Sequence, residues 1–353
     1  MKGYHIYIPN YSVGADCYKE IPWVTRKYGK KAVVIGGKTA MDKVKNALLD
    51  GIDGSELEIT DFVWYGGEAS YENVEMLMET EAVKNADMIF AVGGGRVMDT
   101  CKVVRERLDK PMFTFPTLGS NCAATTSIAV IYHPDGSVNN YFYGKIPAEH
   151  IFINTKIIAE SPEHMFWAGI GDAISKELEA QLAIRGHKAD HTPLMGNQLS
   201  LICIDPLIEY GKKAYEDCKN NTESFELEQV VLDIIITTGM VSNFMTTEND
   251  YYYNSSLAHG FYNGTSVIPN CIHNHQHGEI VSFGSLVLLT YDKNYDECDR
   301  IMKFHKEMGL PLTMSDIDLT DEDLPALAER TSVTKEKFIA AIKECDERGR
   351  TFK

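Results

Sequence analysis

The sequence predicts an α/β N-terminal domain, residues 1–157, followed by an all-helical C-terminal domain, residues 158–353. Three observations carry that expectation. Short apolar, β-branched runs closed by glycine or proline alternate with stretches of helical spacing up to about residue 155. One such run, Met88-Ile89-Phe90-Ala91-Val92, breaks into Gly93-Gly94-Gly95 and then into a helical pattern. Beyond it, from about residue 155, no persuasive strand is left. Strands alternating with helices imply a parallel sheet covered on both faces.

In order, Tyr4 to Ile8 is a short strand candidate, and Lys31-Ala32-Val33-Val34-Ile35 closed by Gly36-Gly37 is a better one. Thr39 to Leu49 has helical spacing at Ala40, Val44, Ala47 and Leu48. Strand-like pieces follow within Glu56 to Trp64, and Tyr71 to Lys84 reads as one amphipathic helix. Met112 to Pro116 is a further strand. Ser127 to Tyr132 and Ser137 to Tyr143, joined through Pro134-Asp135-Gly136, give a hairpin signal, because that tripeptide supplies the turn. Ile151 to Asn154 closes the first half. Ser161-Pro162-Glu163 then reads as a helix start, with a cap, a proline in the first turn and an acid. Helical patterns run to Arg185, from Pro193 to Lys219, Glu226 to Thr246, Gly278 to Tyr291 and Glu297 to Met308, with two short pieces ending near Glu347.

The 51 acidic and 34 basic residues leave a formal charge of −17. Nucleic acid and anionic membrane both require a basic face, so neither is expected as a partner. No stretch approaches the ~18 apolar residues of a membrane span. The opening Met1-Lys2-Gly3-Tyr4-His5-Ile6 lacks the apolar run of a secretory signal. The eight cysteines carry no C-x-x-C and no framework spacing, which fits reduced thiols and a cytoplasmic location.

Gly93-Gly94-Gly95 allows backbone to approach a ligand closely, and the following helix start presents unpaired N–H groups suited to a phosphate. A tight strand-to-helix turn without ligand has the same signature. In the second half, Gly169-Ile170-Gly171-Asp172 sets two glycines beside a carboxylate inside a helix, where each costs ~1 kcal/mol against alanine. His259 and the cluster His273-Asn274-His275-Gln276-His277 add imidazoles. One carboxylate and two imidazoles with an open fourth position make a catalytic zinc shell. A surface acid, a satisfied histidine and a solvated loop are the plainer readings of the same residues.

At this point five collinear pieces carry a resemblance. They are Gly93 to Lys102, Pro116-Thr117-Leu118-Gly119-Ser120, Ala168 to Ala173, Ala258-His259 with Asn263-Gly264, and His277-Gly278-Glu279 with Phe283-Gly284. The chain resembles the iron-containing (group III) alcohol dehydrogenase superfamily, in its glycerol dehydrogenase-like branch. The resemblance implies a dehydroquinate synthase-like fold with metal and nicotinamide in the cleft between domains. It places the metal ligands, and so the catalytic centre, on Asp172, His259 and His277. His277 is preferred to His273 and His275 because Gly-Glu follows it. Iron-binding members usually carry a further histidine one turn after the aspartate, where this chain has Lys176, so Zn²⁺ is expected ahead of Fe²⁺. Where a second histidine often follows the first, this chain has Tyr262. For the cofactor, Gly94, Gly95, Arg96 and Asp99 match the pyrophosphate turn and its helix. Thr117 and Ser120 match the nicotinamide side, and Thr126, Ile128 and Tyr132 the cofactor-contacting hairpin. A homo-oligomer, dimer or octamer, is also implied.

Two departures from the family pattern bear on specificity. Glycerol dehydrogenases usually place an acid after the second strand to meet the adenosine ribose. Gly37 and Lys38 stand there in this chain, which would tolerate or attract a 2′-phosphate, so NADP(H) is expected to be accepted beside NAD(H). Cys122 occupies the position of a substrate-pocket aspartate, which makes glycerol doubtful and removes repulsion toward a carboxylate. The expected activity is metal-dependent, NAD(P)-linked oxidation of a small polyol, alcohol or 2-hydroxy acid, or the reverse carbonyl reduction. A hydroxycarboxylate (2-oxo acid) dehydrogenase is the alternative within this class. A dehydroquinate synthase-type lyase, a glycerol-1-phosphate dehydrogenase and a non-enzymatic nucleotide-binding protein are the alternatives outside it.

Overall fold

The computed structural model describes residues 6–133, 137–329 and 333–353. Among the described residues eight strands all precede residue 154: β1 (Asn10–Val13), β2 (Lys31–Gly36), β3 (Glu58–Trp64), β4 (Met88–Gly93), β5 (Met112–Pro116), β6 (Ile128–Tyr132), β7 (Val138–Tyr143) and β8 (His150–Ile153). Six of them form a parallel sheet in the order β1-β8-β5-β4-β2-β3. β6 and β7 pair antiparallel as a separate hairpin, whose Pro134-Asp135-Gly136 turn lies outside the described residues. Of the strand expected at Tyr4 to Ile8, the first two residues lie outside the described residues and Ile6 to Ile8 form no strand; the first described strand is Asn10–Val13. Its polar sequence Asn-Tyr-Ser-Val is an edge strand, paired on one side to β8, and gives no apolar signal.

Helices α1 (Ile21–Thr25), α2 (Lys38–Ile52), α3 (Tyr71–Glu79), α4 (Glu81–Asn85) and α5 (Gly95–Leu108) lie between strands. The single helix expected over Tyr71 to Lys84 is broken at Thr80, whose extended backbone (φ −70°, ψ 124°) ends one helix and caps the next. β2 and β4 are buried on both faces, so their side chains alternate between two cores. Val34, Phe90, Phe113 and Phe152 meet Val44 and Leu48 of α2. Val33, Ile89 and Ile151 meet Val97, Cys101 and Val104 of α5, and that core runs on into the C-terminal helices.

After β8 come α6 (Thr155–Ala159), α7 (Glu163–Ile184), α8 (His191–Ser200), α9 (Asp205–Lys219), α10 (Phe225–Leu232), α11 (Thr238–Met245), α12 (Leu257–Thr265), α13 (Pro269–Asn274), α14 (His277–Tyr291), α15 (Tyr295–Met308), α16 (Leu324–Ala328) and α17 (Lys335–Phe352). Among the described residues the one bridge in this half is Thr246 to Tyr252. Pro162, not Ser161, caps α7, so the helix starts one residue later than its sequence signal. Pro193 to Lys219 divides into α8 and α9, and the last helix is long rather than short. A π-helical segment, Asp233–Thr237, joins α10 to α11, and a 3.6-residue pattern cannot register it.

Two glycines explain how the helical half closes on the sheet. A Cβ on Gly169 would lie 2.1 Å from the Gly119 carbonyl oxygen, so α7 can touch the loop after β5 only as glycine. A Cβ on Gly278 would lie 1.9 Å from the Ala168 carbonyl oxygen, so the first turn of α14 is set directly on α7. No described helix is long and apolar enough to cross a membrane.

Candidate active site

The parallel register aligns the carboxyl ends of three strands, with Gly36 opposite Val92 and Gly93 opposite Pro116. The loops that follow therefore stand side by side at one edge of the sheet, where open α/β sheets bind ligands. α5 begins at Gly95 with Gly94 as its cap and no capping side chain, so the first-turn N–H groups stay available to an anion. Arg96 projects there, 3.2 Å from Glu68 and 5.8 Å from the Tyr132 ring centre.

The sequence candidates divide by position. Gly95, Arg96, Asp99, Ser120, Cys122, Thr126, Ile128 and Tyr132 line one cleft together with Asp172, His259 and His277. Thr117 is buried at the end of β5 and donates its backbone N–H to Gly93. Gly37 and Lys38 lie farther along the sheet edge, where the Lys38 ammonium sits 4.7 Å from the Trp64 ring centre. Asp99 and Thr126 have their polar atoms committed internally. Asp99 pairs with buried Lys102 at 2.9 Å and accepts from the Val130 N–H, while Lys102 also donates to Thr126 Oγ1 and the Ile128 carbonyl. This network ties the β6–β7 hairpin to α5.

Asp172 lies on α7, His259 in the first turn of α12 and His277 at the first residue of α14. Their ligand atoms all fall within 4.8 Å of one another. His277 Nε2 is 3.2 Å and His259 Nε2 3.6 Å from Asp172 Oδ1, yet neither approach has hydrogen-bonding geometry, and this buried oxygen is left without a donor. A buried carboxylate oxygen without a donor, facing two imidazole nitrogens, fits a cation. Burial alone would raise the Asp172 pKa, but the two imidazoles and Lys176 outweigh it and hold the carboxyl below its usual range. His273 is exposed, and His275 is turned away onto Glu279 and Asp318, at 2.9 and 3.3 Å.

Glu179 escaped the sequence reading. It is fully buried on α7 and receives His259 Nδ1 at 2.6 Å on Oε2. Its Oε1 accepts the backbone N–H groups of Ser256 and His259 at 2.7 and 2.9 Å, which supplies the cap that α12 lacks of its own. Burial would raise the Glu179 pKa, but His259 and these donors lower it. Burial likewise pulls His259 down, and Glu179 with Asp172 pulls it further up. The available signal was spacing: Asp172, Lys176 and Glu179 stand at i, i+4 and i+7, one face of a helix.

Cys122 is half-buried in the same cleft, and burial pushes its thiol up, which favours the neutral form. The Tyr262 ring meets His277 edge-on at 4.2 Å, closing the cleft on that side.

Comparison with known proteins agrees with this fold. Residues 9–152 match the model of the family described as iron-containing alcohol dehydrogenase. A glycerol dehydrogenase of Thermotoga maritima is 29% identical over 82% of this chain and 82% of its own length. Glycerol dehydrogenase 1 of Schizosaccharomyces pombe is 28% identical over 88% of this chain and 67% of its own. The crystal structure of glycerol dehydrogenase from Schizosaccharomyces pombe superposes with a TM-score of 0.87 at 25% identity, covering 100% of this chain and 92% of that one. With both halves of the fold and their order shared, the chain is similar to the glycerol dehydrogenases, and its first half to the iron-containing alcohol dehydrogenase family, a likeness that points to an oxidoreductase acting on CH–OH groups.

Proposed function

We propose that the protein is a metal-dependent, NAD(P)-linked dehydrogenase of small polyols, alcohols or 2-hydroxy acids. The observation that carries this reading is the convergence of Asp172, His259 and His277 in the cleft that the glycine turn also lines. Three N/O ligands with one position left for substrate suit Zn²⁺, and Lys176 standing one turn after Asp172 offers no fourth imidazole. Asp172, His259 and His277 would hold a divalent ion, which would supply the Lewis acidity that acidifies a substrate hydroxyl or polarises a carbonyl, and a bound nicotinamide would supply the hydride exchange.

The chain's own residues prepare that chemistry. Glu179 fixes the His259 ring through Nδ1, which turns Nε2 toward Asp172. The first turn of α5 and Arg96 receive the pyrophosphate, and Ser120 and Ile128 border the nicotinamide. Asp99, Lys102 and Thr126 act as anchors of the hairpin rather than as direct ligands. Lys38 beside Trp64, with no acid at Gly37, supports acceptance of NADP(H) as well as NAD(H). The eight free cysteines are consistent with a reducing cytoplasm, and a homo-oligomer is the expected assembly.

Metal analysis followed by a substrate panel of polyols, short alcohols, aldehydes and 2-oxo acids with both cofactors tests the proposal. Turnover dependent on about one divalent ion per chain is expected. A purified sample that retains nicotinamide but turns over no alcohol or carbonyl contradicts it.

A further inference from the structure

Lys176 is buried to 6% exposure in the same cleft as the Asp172–His259–His277 cluster. A buried ammonium is costly unless its donors are met. Two of its three N–H groups are satisfied, by Asn254 Oδ1 at 2.7 Å and the Asn254 carbonyl at 3.1 Å. Both partners are neutral oxygens, so the positive charge is solvated but not cancelled. Asp172 and Glu179 feel it through space. A divalent ion at the cluster cancels those two carboxylates and leaves the ammonium as surplus charge. Cys122 also lines this cleft within electrostatic reach of Lys176, and it contributes a neutral thiol. Side chains one helical turn apart emerge about 5–6 Å from one another. A substrate whose reacting oxygen takes the position left open beside Asp172, His259 and His277 therefore brings its neighbouring substituent within reach of Lys176.

We propose that Lys176 is a specificity-determining residue that receives a carboxylate on the carbon next to the reacting carbon, so that the favoured substrates are 2-hydroxy acids and 2-oxo acids. The inference rests on the dehydrogenase reading and sharpens its substrate class. A residue that merely balanced Asp172 and Glu179 would affect charged and neutral substrates alike, whereas a carboxylate receptor separates them.

The test compares reduction of pyruvate and of hydroxyacetone, which differ in carboxylate against hydroxymethyl, with NADH and NADPH and metal-loaded enzyme. The wild type is expected to favour pyruvate at least ~10-fold in kcat/KM, the scale of one charge-assisted hydrogen bond. Lys176→Met is expected to reduce that ratio roughly 10- to 100-fold, chiefly through KM for pyruvate. Titration of oxamate into the enzyme–NAD(P)H complex should show the same weakening in Kd. If Lys176→Met does not fold, Cys122→Asp carries the test, since a like charge facing the substrate carboxylate should lower the same ratio. Turnover of hydroxyacetone with no preference for pyruvate overturns the inference and leaves the dehydrogenase reading standing. A pyruvate preference that survives every variant obtained folded also overturns it. Turnover of neither substrate overturns the inference, and the dehydrogenase reading falls with it only if the wider panel of polyols, short alcohols and aldehydes is also inert.

Discussion

Glu179 and His259 are joined twice: the carboxylate accepts the ring Nδ1 at 2.6 Å, and its other oxygen accepts the His259 backbone N–H at 2.9 Å. One side chain thus fixes both the position of α12 and the rotation of the imidazole it presents. Outer partners of this kind typically contribute 10–100-fold to metal affinity. Glu179→Gln should weaken divalent-metal affinity by roughly that factor, read by titration against a competing chelator. Unchanged affinity would show that His259 is oriented without it.

The Asp99–Lys102 pair is the second anchor, with the lysine side chain 2% and the aspartate 11% exposed. Removing one member of a buried pair leaves the other uncompensated and costs about 3–5 kcal/mol. Lys102→Met should lower the denaturation midpoint accordingly and weaken NADH binding as the hairpin loses its tether. A variant as stable as the wild type in urea would contradict this.

Gly278→Ala should separate α7 from α14, because the added Cβ would meet the Ala168 backbone oxygen at 1.9 Å. Overpacking of this kind costs about 1–3 kcal/mol or more. The expected readout is a lowered Tm together with reduced metal content, since His277 adjoins the displaced residue. Normal metal loading would show that the helices can part without disturbing the cluster.

Cofactor choice should respond to the β2 end. Gly37→Asp is expected to lower kcat/KM for NADPH at least ~10-fold relative to NADH, since an acid there repels a 2′-phosphate. An unchanged cofactor ratio would remove the adenosine ribose from this loop.

His305 sets a pH dependence remote from the cleft. It is fully buried, and burial lowers its pKa from 6.5 to about 4 despite the hydrogen bond to Pro311. A base depressed on folding stabilises the native state above its unfolded pKa, and that stability is lost as pH falls from 6.5 toward 4. The loss reaches about 2–3 kcal/mol at pH 4.5. Urea unfolding at pH 7 and 4.5 should show a difference of that size between wild type and His305→Gln. Parallel pH profiles would exclude His305 as its source.

Much of this was legible in the sequence for definable reasons. β2 and β4 are buried on both faces, so they announce themselves as continuous apolar runs, and the glycines at 93–95 mark the turn between them and a helix. Asp172, His259 and His277 were reached through motifs, while their convergence is a tertiary fact that spacing does not contain. Glu179 went unseen because its partner lies eighty residues away on another helix. The π-segment at Asp233–Thr237 and the break near Thr80 interrupt helices without proline or a run of glycines, so periodicity passed over them, whereas the break after Ser200 did carry a signal in Pro206, in the first turn of α9. Asp99 and Thr126 matched cofactor positions by motif, and only the structure shows their polar atoms turned toward Lys102.

The central claim, that Asp172, His259 and His277 hold a metal the reaction needs, is tested most directly by elemental analysis paired with activity in wild type and Asp172→Asn. The expected result is about one divalent ion per wild-type chain, with metal and turnover lost together in the variant. Full activity in a verified metal-free protein would contradict the account.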